Sequence, residues 1–243
     1  MKWFSSKKTK IHYLDEISLP IRSTNKSQEE LYKLGYTIGS GQEIFLPEYK
    51  EEEESDFRKR LIENSKLILH VFHINDVAAR NNETIAPSAQ WLIDNHYTID
   101  KTIQELRCNF SKSFIKQLPF YEQKKEIPRI FVLGWLYVAH TDSRFSQETL
   151  TAMVNGFQKV CTLKISELWA LPFVVRMILI ENVRRLSLRI EQARYMRFLA
   201  NQVADKIALT KNETQLNILT LYEKLTSHSI FSAHLFYHLR SAS

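Results

Sequence analysis

The groups in this chain that could carry chemistry are polar side chains set into apolar, helix-spaced runs. Two segments hold most of them. From Ala86 to Tyr97 the chain places Trp91, Asp94, Asn95 and His96 after Pro87; from Ser166 to Leu186 it places Glu167, Trp169, Arg176, Glu181 and Asn182 among leucines, valines and isoleucines. A polar group in such a setting must find a partner or cost a few kcal/mol. Arg176 falls at helical spacing between Trp169 and Val183, and Glu181 shares a helical face with Val174 and Met177. Both are expected to be buried and to meet a polar group from another helix. The plain product is an internal ion-pair network that fixes helix order. The sharper one is a ligand pocket formed by Trp91, Asp94, Asn95, His96, Glu167, Trp169, Arg176, Glu181 and Asn182.

Other candidates are weaker. His96 takes an apolar-spaced position and reads as a core histidine, since a catalytic base needs an orienting partner and a cleft. His70 with His73, and His234 with His238, could present two ligands from one helical face. Two histidines alone do not make a metal site, and none is expected. Asp142-Ser143-Arg144 reads as a polar turn with Asp142 capping or pairing with Arg144. Arg184, Arg185, Arg189, Arg194 and Arg197 are spread around a helix and are expected to be solvated or to contact other domains. Arg184, Arg185 and Arg189, with the helix-spaced Phe231, Leu235 and Phe236, form the candidate interface.

The elements that must position these groups are helical. Phe57, Leu61, Leu67, Ile68, Val71 and Phe72 recur in threes and fours, giving a helix from about Ser55 to Ala79. Pro87 suits a first helical turn, and Leu92, His96, Ile99, Ile103, Leu106 and Phe110 follow at spacings of four and three, giving a second. Further helices are expected at Ser113 to Gln117, Arg129 to His140, Gln147 to Val160, from Ser166 onward, at Thr214 to Thr226 and at Ser229 to Arg240. The run from Ser166 is apolar on nearly every side, so it is expected to be the central helix, kinked at Pro172. Residues 1–55, charged and holding three of the five glycines, read as a partly ordered arm with one helix near Gln28 to Leu34. Residues 56–243 read as the helical domain. The fold class is therefore all-α: a multi-helix antiparallel array around a central kinked helix, with a poorly structured N-terminal arm.

Composition bounds the rest. Five glycines and six prolines in 243 residues leave little material for tight turns or phosphate-cradling loops. The net charge of +6, from 33 Lys and Arg against 27 Asp and Glu, is mild; no basic stripe with interleaved aromatics occurs, so no nucleic-acid partner is implied. Cys108 and Cys161 are too far apart for a disulfide framework and read as two buried thiols in a reducing compartment. The most apolar run, Leu168 to Ile180, is shorter than the roughly 20 residues of a membrane helix and is interrupted by Arg176. No transmembrane segment and no secretory signal are expected, and the isolated chain is expected to be soluble.

The blocks Ile62-Glu63-Asn64-Ser65, Ala86-Pro87-Ser88-Ala89-Gln90-Trp91-Leu92-Ile93-Asp94-Asn95, Leu118-Pro119, Pro128-Arg129, Thr141-Asp142-Ser143-Arg144-Phe145, Glu167-Leu168-Trp169-Ala170-Leu171-Pro172 and Ile180-Glu181-Asn182-Val183-Arg184-Arg185-Leu186 resemble, in order, the N-terminal region of cyclic β-1,2-glucan synthases. The resemblance covers Leu61 to Arg240. Members of that family are very large inner-membrane enzymes that use UDP-glucose to build a β-1,2-linked glucan on the protein itself, adjust its length and close it into a ring. The resemblance implies the N-terminal cytoplasmic part of such an enzyme, cut from a longer chain, with the transferase and membrane domains of the same polypeptide as partners. The family's paired aspartates and Gln-x-x-Arg-Trp motif do not occur here, so no catalytic residue carries over and no cofactor is expected in this segment. The implied role is a non-catalytic module that supports or regulates the transferase. The alternatives are a glucan- or nucleotide-binding module and a stand-alone helical interaction domain.

Overall fold

Local sequence signals account for the starts of several elements. In the computed structural model, which describes residues 19–42, 45–49, 57–109, 112–121 and 124–209, seven helices and one two-stranded ribbon follow one another. Helix α1 spans Gln28–Gly39 and opens on a reciprocal cap: Ser27 Oγ accepts from the Glu30 amide, and the Glu30 carboxylate accepts from the Ser27 amide. It runs past the expected Leu34. Helices α2 (Phe57–Arg80) and α3 (Pro87–Asn109) lie within a residue or two of the expected bounds. Helix α4 is the short Lys112–Lys116. Strands β1 (Phe120–Tyr121) and β2 (Lys124–Pro128) pair antiparallel. Helices α5 (Arg129–His140), α6 (Gln147–Gln158) and α7 (Ile165–Leu209) complete the order. The helices expected at Thr214 to Thr226 and Ser229 to Arg240 lie outside the described residues.

The ribbon was not foreseen. Its strands are two and five residues long, and Lys124-Lys125-Glu126 gives no apolar alternation to betray them.

The chain falls into two units, residues 15–187 and residues 1–14 with 188–243. In the second, the described part is the C-terminal stretch of α7, where Leu188, Ile190 and Ala200 are buried and Arg194 forks onto Glu191 one turn back. The first holds the core. There α5 is buried at every position from Ile130 to His140. Helix α7 lays a broad face of Ala170, Leu171, Val174, Val175, Ile178 and Glu181 inward but leaves Ile165, Leu168, Trp169, Pro172 and Arg176 exposed along one stripe. It crosses α5 closely at Gly134, where a Cβ would stand 2.8 Å from Val174 Cγ1.

Helices α1 and α6 approach even more tightly. A Cβ on Gly35 would lie 2.0 Å from the Met153 carbonyl oxygen, and one on Gly156 would lie 2.0 Å from that of Tyr32. Only glycine lets two helix backbones touch in this way. The segment before α1 closes the end of α5: the Ser23 amide donates to the Ala139 carbonyl at 2.8 Å and the Lys26 amide to that of His140 at 3.0 Å. These bonds satisfy carbonyls that a helix end leaves open. His140 Nδ1 meets the Thr24 carbonyl at 2.7 Å; a carbonyl only accepts, so Nδ1 carries the proton. Burial pushes this ring's pKa down, against the smaller upward pull of that bond. The chain then leaves α5 through Asp142 and Ser143, both at positive φ. Asp142 pairs with Arg22 at 3.4 Å, not with Arg144.

Candidate functional site

The densest polar site in the described residues centres on Glu181, which α7 carries into the core at 4% exposure. Glu181 Oε1 accepts from Arg60 Nη2 at 3.1 Å, Arg184 Nε at 3.1 Å and Nη2 at 2.9 Å, and Arg185 Nε at 2.9 Å. Its Oε2 accepts from Arg60 Nε at 3.1 Å and Asn64 Nδ2 at 2.8 Å. Arg184 and Arg185 reach it because three and four residues along a helix lie over one another. Arg60 and Asn64 come across from α2, one turn apart beside Leu61. Burial raises the Glu181 carboxyl, but the Arg184 charge, the Arg60 bond and the charges of Arg60 and Arg185 outweigh it and leave it lowered from 4.5 to about 2.

The hub extends outward through backbone. Arg185 Nη1 donates to the Leu19 carbonyl at 2.8 Å and Nη2 to that of Glu48 at 3.1 Å, while its guanidinium lies 5.6 Å from the Trp135 ring centre. Asn182 Oδ1 accepts from the Ile21 amide at 2.6 Å, and its Nδ2 donates to Ser143 Oγ at 2.9 Å. Trp135 Nε1 donates to the Pro47 carbonyl at 2.8 Å. One stretch of α7 thus fastens α2, the segment before α1, the Pro47 turn and the exit from α5.

A second buried pair stands apart from it. Glu167, fully buried, accepts from Arg129 Nε at 2.7 Å and Nη2 at 2.6 Å, and also from the Lys164 amide at 2.8 Å. Arg129 completes its fork on Cys161 Sγ at 2.8 Å and the Thr162 carbonyl at 2.9 Å. Donating to Glu167 raises the Arg129 pKa further, against burial.

The remaining sequence candidates are not gathered with these. Trp91 and Trp169 are exposed, Asp94 accepts from Gln90 within its own helix, and Asn95 bonds the Trp91 carbonyl one turn back. His96 stacks on Phe72 at 3.6 Å between ring centres, and burial lowers its pKa. Arg176 corrects the expectation of burial: its side chain is 49% exposed and reaches Glu105 at 3.3 Å on the surface. The face that Trp169 marks is the open one, and Arg176, two turns on, shares it. Arg184 and Arg185, expected at an exposed interface, are instead 3% exposed. Arg189 is exposed, and Phe231, Leu235 and Phe236 lie outside the described residues. The thiols also differ from expectation, Cys108 being exposed and Cys161 half-buried.

Chemically, a carboxylate near pKa 2 is too weak a base for proton transfer near neutrality. The cavity beside it, between Phe57, Asn64, Phe131, Trp135 and Glu181, has room of about 20 Å³, enough for about one water. Small-molecule sites take several hundred Å³. Among the described residues, no group of three or more His, Cys, Asp or Glu could hold a metal ion, and no helix is long and apolar enough to cross a membrane.

Sequence reasoning missed Arg60, Asn64 and Arg129 as partners. The signal for Asn64 was present: with Phe57, Leu61, Ile68, Val71 and Asn75 it keeps the spacing of the buried face of α2. An amide there demands a partner.

No family model matches the chain. Over 225 residues, 92% of its length, it is 42% identical to a segment of the cyclic beta-(1,2)-glucan synthase NdvB of Rhizobium meliloti (strain 1021). The chain spans about 8% of the length of that curated relative.

Proposed function

We propose, from its likeness to a segment of a cyclic β-(1,2)-glucan synthase, that this chain is a non-catalytic helical module of such an enzyme, supporting or regulating the UDP-glucose-dependent transferase domain of the same polypeptide. The observation that carries this reading is the reach of the likeness: it takes in nearly all of the chain and a small share of the synthase. In this reading the module needs no cofactor of its own. Its partners are the transferase and membrane domains at the cytoplasmic face of the inner membrane.

The polar groups support a scaffold rather than chemistry. Glu181 spends six acceptor contacts on Arg60, Asn64, Arg184 and Arg185, and Glu167 spends three on Arg129 and the Lys164 amide. Buried charge pairs of this kind add little to stability over an apolar core but fix which helix meets which. Incubating the isolated chain with UDP-glucose and a divalent metal tests the non-catalytic half of the proposal. It predicts no UDP above a protein-free control; turnover that survives repurification refutes it.

A further inference from the structure

The start of α7 turns an apolar corner outward. Ile165 is 76% and Trp169 71% exposed, and Leu168 and Val160 are also open to solvent. Ile165, Leu168 and Trp169 lie at spacings of three and four, on one helical face. The corner is held firmly from behind, because Arg129 ties Cys161, the Thr162 carbonyl and Glu167 together. Along the stretch that forms it, the exposed charge has one sign. Between Lys159 and Pro172 the exposed ionic groups are Lys159 and Lys164, and the single carboxylate of that stretch, Glu167, is fully buried against Arg129.

Exposed apolar groups gathered in one place mark a surface that something covers. The occupant follows from the chemistry. Tryptophan settles at the headgroup level of a bilayer, aliphatic side chains enter the acyl boundary, and lysines meet anionic lipid phosphates. Lys159 and Lys164 give the corner's own stretch a cationic charge that an anionic surface complements. We propose that the corner formed by Lys159, Val160, Lys164, Ile165, Leu168 and Trp169 seats the chain on an anionic bilayer surface. The inference stands independently of any role in glucan synthesis.

Co-sedimentation of the full chain with extruded vesicles tests it, using phosphatidylcholine alone and phosphatidylcholine mixed with phosphatidylglycerol. The chain should bind the mixed vesicles, leave the neutral ones in solution and be released by salt. Ile165→Asp with Trp169→Asp should lower partitioning at least about tenfold with an unchanged thermal melt. Lys159→Glu with Lys164→Glu, which touches no apolar side chain, should lower it for the mixed vesicles as well. Absence of binding to the mixed vesicles, or wild-type binding by both double variants, overturns the proposal. So does self-association of the wild type, lost in the Ile165/Trp169 variant and without vesicle binding, which would assign the corner to a second copy of the chain.

Discussion

Replacing Glu181 by Gln keeps the shape of the side chain and removes the charge on which Arg60, Arg184 and Arg185 converge. An amide nitrogen at the Oε2 position would face two donors, Arg60 Nε and Asn64 Nδ2; at the Oε1 position it would face four. The cost follows from the carboxyl's proton affinity, because glutamine stands in for the protonated acid. Folding lowers the Glu181 pKa from 4.5 to about 2, and each tenfold in proton affinity is about 1.4 kcal/mol. The ionised form therefore stabilises the folded chain by about 3 kcal/mol at neutral pH. The sign follows from the direction of the shift. A pKa lowered by folding gives stability that is fully present above 4.5 and is lost as pH falls toward about 2. Urea unfolding followed by far-UV circular dichroism should thus place Glu181→Gln about 3 kcal/mol below wild type at neutral pH, and the gap should narrow steadily below pH 4.5 as the wild type takes up its proton. A variant within about 0.5 kcal/mol of wild type at neutral pH, or a gap that ignores pH, would refute the reading of the hub as a charge-dependent fastening.

Arg129→Ala should cost about 3 to 5 kcal/mol because it strands the buried Glu167 carboxylate, and Arg129→Lys should recover only part of this, since one ammonium cannot reproduce the planar fork; urea midpoints decide both. Gly156→Ala should lower stability by about 3 kcal/mol or more, since the new methyl meets the Tyr32 backbone and α1 must move off α6; an unchanged melting temperature would contradict the close approach. Arg176→Ala should change stability by no more than about 0.5 kcal/mol, because its pair with Glu105 is half in water; a large loss in the same melt would restore the buried placement.

The helix framework was legible because this sequence states its punctuation locally. Pro87 begins α3 and Pro128 precedes α5, while the spacing of Phe57 to Val71 and of Leu92 to Leu106 writes the buried faces of α2 and α3. Glu181 was legible for the same reason, its face being shared with Val174 and Met177. Arg176 was misplaced because Trp169 is amphipathic: a ring that size reads as core, yet here it marks the open stripe. Arg184 and Arg185 were misread because a circumferential spread of arginines looks solvated until a carboxylate three or four residues back is recognised as their target. The touching of α1 and α6 at Gly35 and Gly156 had no local signal, since neither glycine knows its partner before the helices meet. The Arg129–Glu167 pair is of the same kind, joining the first residue of α5 to the first turn of α7.

The proposed role of this helical segment, service to a cyclic β-(1,2)-glucan synthase without its chemistry, stands or falls on the full-length enzyme. The most direct test is to delete the corresponding segment from a full-length synthase and measure cyclic glucan formed from UDP-glucose in isolated membranes, normalised to the amount of enzyme present. A clear loss of glucan per enzyme molecule is expected. Normal cyclic glucan output at normal abundance would contradict it.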